Sequence, residues 1–136
     1  MYLFDNVEAG RLAGEAIVSK LNELRGRTGS KGGVIMELRC IITASFDIGR
    51  HTGYHEVLDP IVEANPGLTI ETREAGCDGA AARRAVDDLI TRYGPENVVA
   101  VASIDGTMGI GGAIPAFEAQ GILFPSDDPV ISGHHC

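Results

Sequence analysis

His51 and His55 stand four residues apart, so on a helix they share one face, with imidazoles close enough to meet a common ion. The intervening Thr52-Gly53-Tyr54 lacks the glutamate of H-E-x-x-H, and the neighbouring Arg50 would repel a cation. The pair therefore reads as a solvated helix face. His134-His135-Cys136 also carries metal-ligating atoms, but with no further ligand in spacing it reads as loop or strand end, and no metal is expected. Cys40, Cys77 and Cys136 are far apart and form no C-x-x-C pair, which points to ordinary buried or terminal thiols. No serine sits in G-x-S-x-G, and no histidine pairs with a serine or cysteine in a recognisable catalytic order. Gly106, Gly109, Gly111 and Gly112 follow an apolar run as a phosphate loop would. They match neither G-x-x-x-x-G-K-[ST] nor G-x-G-x-x-G, so they read as close packing of a helix on its strand. No cofactor is expected, and no nucleophile, base and orienter converge as an enzyme would require.

The elements that must position these groups alternate. Met1 to Phe4 is a short apolar strand, and Asp5 or Asn6 caps a helix over Val7 to Leu24 with an apolar stripe of Leu12, Ala16, Ile17 or Val18, and Leu21. Arg25 to Gly32 is a loop into a strand from Gly33 to about Ile42. Asp47 then caps a helix carrying Arg50, Tyr54, Val57 and Leu58, which Asp59-Pro60 should kink or restart, and Asn65-Pro66-Gly67 stops it. A strand at Leu68 to Arg73 follows, then a helix at Asp78 to Tyr93 with Val86, Leu89 and Ile90 inward and Gly94-Pro95 as its end. The strand Asn97 to Ser103, a helix to about Gln120 and a strand near Pro129 to Ser132 complete the series. Five mainly parallel strands alternating with helices predict a Rossmann-like three-layer α/β lobe with right-handed crossovers. Ligands of such sheets bind at the strands' C-terminal ends, here the corner Ser103-Ile104-Asp105-Gly106.

A length of 136 residues fits one domain, residues 1–136. The charge of −8, with no basic run longer than Arg83-Arg84, gives no footprint for nucleic acid or an anionic membrane surface. No apolar stretch approaches a membrane span, and MYLFDNVEAG lacks the pattern of a signal peptide.

Several segments together resemble the C-terminal lobe of type I periplasmic binding proteins, the sugar receptors of ABC importers. They are Phe4-Asp5-Asn6 with Gly10; Gly32-Gly33-Val34-Ile35-Met36-Glu37-Leu38; Arg50-His51-Thr52-Gly53-Tyr54; Asn65-Pro66-Gly67-Leu68; and Ala102-Ser103-Ile104-Asp105 through Met108, Gly111, Ala116, Phe117 and Gly121. The resemblance spans nearly the whole chain. It implies one lobe of a two-lobe receptor, periplasmic or extracellular in the parent protein, without catalysis. It implies an ABC permease partner through that parent, a carbohydrate-like ligand, no nucleic acid and no membrane insertion. A lobe without its mate should also form a homodimer through the uncovered cleft face.

Carried over residue by residue, the resemblance gives ligand-binding positions at Phe46, Arg50, Cys77, Ile104, Asp105 and His135. Arg50 would fork onto ligand hydroxyls, a task its rigid set of donors suits. Asp105 would cap its helix first and touch ligand second. Ile104 stands where sugar-binding members often place Asn, Cys77 where many place a stacking aromatic, and His135 where the last strand often ends in Asp. These departures imply a smaller, partly apolar or anionic polyol derivative rather than an unmodified pyranose. Two other classes share the fold: the effector-binding core of a transcription regulator and a small α/β enzyme.

Overall fold

The computed structural model describes residues 5–28, 33–121 and 130–133. Its elements are α1 (Asn6–Thr28), β1 (Gly33–Arg39), α2 (Ser45–Ala64), β2 (Leu68–Glu74), α3 (Gly79–Tyr93), β3 (Val98–Ser103), α4 (Gly106–Met108), a π-helical turn Gly109–Ala113, α5 (Ile114–Glu118) and β4 (Val130–Gly133). The expected first strand, Met1 to Phe4, lies outside the described residues.

Among the described residues the strands form a 4-stranded sheet in the order β2-β1-β3-β4, and every neighbouring pair is parallel. Parallel strands need crossovers, and the intervening helices supply them on both faces. Helices α1 and α2 pack together on one face, while α3 packs with the helical segment 106–118 on the other. β1 leads to β2 on one side and β3 leads to β4 on the other, so the topological switch lies between β1 and β3. The core is built from Val34, Ile35, Met36 and Leu38 of β1 and Ala100, Val101 and Ala102 of β3, all wholly buried. Near-continuous apolar runs are what strands covered on both faces require.

The helix ends follow local chemistry. The Asp5 carboxylate accepts the Glu8 N–H at 3.0 Å, which settles the choice between Asp5 and Asn6 as cap of α1. The Asp78 carboxylate accepts the Ala81 N–H at 2.9 Å, and α3 buries Ala82, Val86, Leu89 and Ile90 before ending at Gly94, whose φ of 86° only glycine adopts freely.

Three local expectations are corrected. The stripe of α1 is rotated: Ile17 is wholly buried and Gly10 and Gly14 face inward, whereas Leu12 is 56% exposed. The cause is the crossing with α2. A Cβ on Gly10 would sit 2.1 Å from the Arg50 carbonyl oxygen, and one on Gly53 the same 2.1 Å from the Val7 carbonyl oxygen. The helices touch backbone to backbone, so the smallest residues and not the largest choose the contact face. Second, α2 does not restart at Pro60: it runs as one helix from Ser45 to Ala64 with Pro60 inside it. Third, α2 begins at Ser45 with Ala44 as its cap residue, and Asp47 is occupied elsewhere. The glycines near residue 110 lie in a turn that packs chiefly against α3 and also touches β3 and β4: a Cβ on Gly112 would lie 2.5 Å from the Ala82 Cβ.

Candidate functional site at the sheet switch point

β1 ends at Arg39 because the Cys40 N–H leaves the ladder and donates to the Asp47 carboxylate at 2.7 Å. The same carboxylate accepts from Arg39 Nε at 2.7 Å and Nη2 at 2.6 Å. Asp47 is wholly buried, and a buried carboxylate persists only with such partners. This knot turns the chain from β1 into α2 and brings the second turn of the helix over the end of β3. The Tyr54 hydroxyl donates to the Ser103 carbonyl at 3.1 Å, and Arg50 Nη1 donates to the Ile104 carbonyl at 2.9 Å. Arg50 Nε donates to Asn6 Oδ1 at 3.2 Å, and its guanidinium lies 5.6 Å from the Phe46 ring centroid. The guanidinium thus stands over the C-terminal end of β3, between α2 and the start of α1. Ile104 there adjoins β1 through its N–H to the Leu38 carbonyl, so Arg50 lies beside the β1–β3 crevice where open α/β sheets bind ligands. Exposed Ile41, Ile42 and Ile48 stand on the β1–α2 side, and Ile110 is exposed on the turn beyond β3.

The structure brings five of the expected site residues to this end of the sheet in different states. Arg50 and Phe46 are half-buried and stacked. Asp105 caps α4, accepting the Met108 N–H at 3.2 Å, as its position after the strand suggested. Ile104 is wholly buried, so its side chain belongs to the core and only its carbonyl faces Arg50. Cys77, after β2, is bonded to Cys40, after β1, across a Cα–Cα separation of 4.3 Å. The expectation of ordinary thiols at 40 and 77 is therefore corrected: parallel pairing of β1 with β2 brings two positions 37 residues apart side by side. Cys40, Cys77 and Asp105 also come within 4.8 Å of one another at their ligating atoms, but the disulfide consumes both sulfurs. His135 lies outside the described residues.

A second polar group lies two residues before the end of β1. Glu37 is buried, and its carboxylate meets His51 Nδ1 at 2.8 Å, His55 Nε2 at 3.1 Å and the Thr72 hydroxyl at 3.0 Å. Asp59 Oδ1 lies 2.7 Å from the other nitrogen of His55. Burial alone would push the Glu37 carboxyl up; the hydrogen bond from His55 and the charge of His51 outweigh it and hold the carboxyl below its usual range. The hydrogen bond to Glu37 raises His55 to about 9, against burial and with help from Asp59. The solvated histidine face expected at 51 and 55 is thus corrected to a half-buried pair closed over a carboxylate. Its signal was present as a lone Glu in the apolar run Gly33-Val34-Ile35-Met36-Glu37-Leu38.

Residues 2–136 match the periplasmic binding protein domain family, and the chain belongs to it. Comparison with curated protein sequences gave no match. Among solved structures, the chain is similar to an ABC transporter periplasmic solute binding protein from Actinobacillus succinogenes 130z with bound D-allose. There the TM-score is 0.71 and identity 20%, over 95% of this chain and 40% of that one. It is also similar to the periplasmic component of the arabinose ABC transporter from Shewanella sp. ANA-3, bound to L-arabinofuranose, with TM-score 0.70 and 21% identity over 93% of this chain and 38% of that one. A periplasmic sugar-binding protein from Pseudomonas fluorescens gives a TM-score of 0.72 and 21% identity over 96% of this chain and 37% of that one. The fold is the lobe of a type I periplasmic binding protein, and the chain spans roughly two fifths of the length of these relatives.

Proposed function

We propose that this chain is the carbohydrate- or polyol-binding lobe of a non-catalytic substrate-binding protein that delivers its solute to an ABC permease from the periplasm. The observation that carries this is Arg50, held over the end of β3 beside the β1–β3 crevice by Asn6, Phe46 and the Ile104 carbonyl. A guanidinium fixed at that crevice supplies rigid, always-charged donors to hydroxyl or carboxylate oxygens of a small solute. The solute-bound relatives of the same fold support the choice of class. With the Ile104 side chain in the core and Cys77 in a disulfide, neither an amide nor an aromatic platform stands at those positions. That favours a smaller, partly apolar or anionic polyol derivative over a plain pyranose.

The test is a ligand-induced thermal shift on the complete two-lobe receptor with a panel of sugars and sugar acids. Hydrogen bonds to a charged donor contribute about 1.5–3 kcal/mol each, so Arg50→Ala should weaken binding by roughly ten- to a hundredfold. Arg50 also ties α2 to the end of β3, so the melting temperature of the ligand-free variant is measured alongside and should fall only slightly. Unchanged affinity in Arg50→Ala removes Arg50 from the site, and tight binding of plain glucose or ribose overturns the altered-solute assignment.

The exposed Ile41, Ile42, Ile48 and Ile110 suit a face that another lobe covers. The isolated 136-residue chain should therefore self-associate through it. Sedimentation should show a concentration-dependent dimer that Ile48→Glu abolishes; a strict monomer at high concentration counts against this face as an interface.

A further inference from the structure

Glu37 is a charged side chain with 1% exposure in the middle of a strand whose neighbours are apolar, and among the described residues nothing at the crevice uses it. Its partners come from two other elements: His51 and His55 from successive turns of α2, and Thr72 from the register position opposite it on β2. We propose that Glu37, His51 and His55 form a binding site for one divalent transition-metal ion of the zinc type, with Asp59 orienting His55. The site is independent of the solute assignment, because its residues lie under α2 and not in the β1–β3 crevice.

The donor set is two imidazole nitrogens and one carboxylate oxygen, a combination that suits zinc and its first-row neighbours and not calcium or magnesium. The three ligating atoms already lie within 4.8 Å of one another. A tetrahedral ion with bonds of about 2.0–2.2 Å holds its ligand atoms roughly 3.3–3.5 Å apart. The carboxylate-to-histidine contacts of 2.8 Å and 3.1 Å need open only slightly to admit it. The i, i+4 spacing brings the two rings together at a centroid separation of 4.2 Å, tilted by 49°, and both nitrogens reach the same carboxylate. Asp59 accepts from His55 Nδ1 at 2.7 Å and thereby selects the tautomer that leaves Nε2 as the ligand, the outer carboxylate found behind many metal-binding histidines.

The repulsion expected from Arg50 does not arise at this site, since its guanidinium is drawn to Asn6 and Ile104. Both histidine side chains keep a solvent-facing part, 30% for His51 and 25% for His55, which gives an ion a way in. Three protein ligands leave one position for water or an incoming anion. An ion bound there would clamp the helix that carries Phe46 and Arg50 onto β1.

The experiment is calorimetric titration of zinc chloride into the chelator-treated chain with its Cys40–Cys77 disulfide oxidised, paired with cobalt(II) absorption as a readout of ligand geometry. One equivalent of zinc should bind. His51→Ala and His55→Ala should each weaken it more than tenfold and abolish the tetrahedral cobalt spectrum. Asp59→Asn should weaken it by roughly tenfold. His134→Ala/His135→Ala/Cys136→Ser, which removes the chain's other histidines and its third cysteine, should leave it unchanged. Circular dichroism establishes that the half-exposed histidine variants remain folded, and Glu37→Gln is read only if it also folds. Absence of zinc binding overturns the proposal, as does binding that survives His51→Ala and His55→Ala or disappears with the terminal residues.

Discussion

Asp47 shows how one side chain can be given two different tasks by sequence and by packing. In sequence it is an acid at the start of a helix, where capping is the common use. In the fold it is wholly buried and shared between the Arg39 guanidinium and the Cys40 N–H, so it ends a strand and starts a helix at once. Removing one member of a buried ion pair leaves the other charge uncompensated, at a cost of about 3–5 kcal/mol. Asp47→Ala should therefore lower stability by that amount in urea denaturation, and Arg39→Ala/Asp47→Ala together should lose less than the sum of the single variants. A loss under 1 kcal/mol in Asp47→Ala would show that the knot contributes little. Glu37 carried a readable signal of the same type. A lone acid inside an apolar strand must find partners if it is buried, and two histidines in helical register were visible. What the sequence did not contain was the register that lays α2 over β1, without which the three residues have no reason to be considered together.

Among the elements, strands were legible and helix faces less so. Val34 to Met36 and Val98 to Val101 are apolar on both faces, as strands between two helical layers must be, and they lie where the periodicity put them. The face of α1 was misplaced because the period was sought in large residues, while Gly10 and Gly14 decide it. A helix crossing at backbone contact has no hydrophobic signature, since its key residues have no side chain. Pro60 was read as a kink or restart from its local cost, and the surrounding helix continues past it without a restart. Gly53→Ala should consequently be among the most damaging single-atom additions in the chain. Its Cβ would meet the Val7 carbonyl at 2.1 Å; overpacking typically costs about 1–3 kcal/mol, and a clash with backbone belongs at the upper end of that range. Leu12→Gln, which removes the large residue the period favoured, should stay within about 0.5 kcal/mol of the parent. Thermal melts of the two variants compare the contact face directly; a larger loss for Leu12→Gln would mean that the crossing is described wrongly.

In the whole molecule, two crossovers of opposite direction leave a crevice between β1 and β3, and every feature assigned to solute binding gathers at that one end of the sheet. The disulfide between Cys40 and Cys77 sits at the same end and fixes where such a chain can mature. Bonds of this kind persist in oxidising compartments and are rare under cytosolic glutathione, so the link between the ends of β1 and β2 is favoured only outside a reducing interior. Closing a loop of sequence separation 37 removes chain entropy worth about 4 kcal/mol at 25 °C. Protein prepared with a reductant should thus unfold at distinctly lower urea than the oxidised form, and equal midpoints would deny the cross-link a stabilising role. On the proposed role as part of an exported receptor, that difference would act as a checkpoint: a chain still in a reducing interior would be easier to unfold and thread, and would harden into a binding lobe only at its destination.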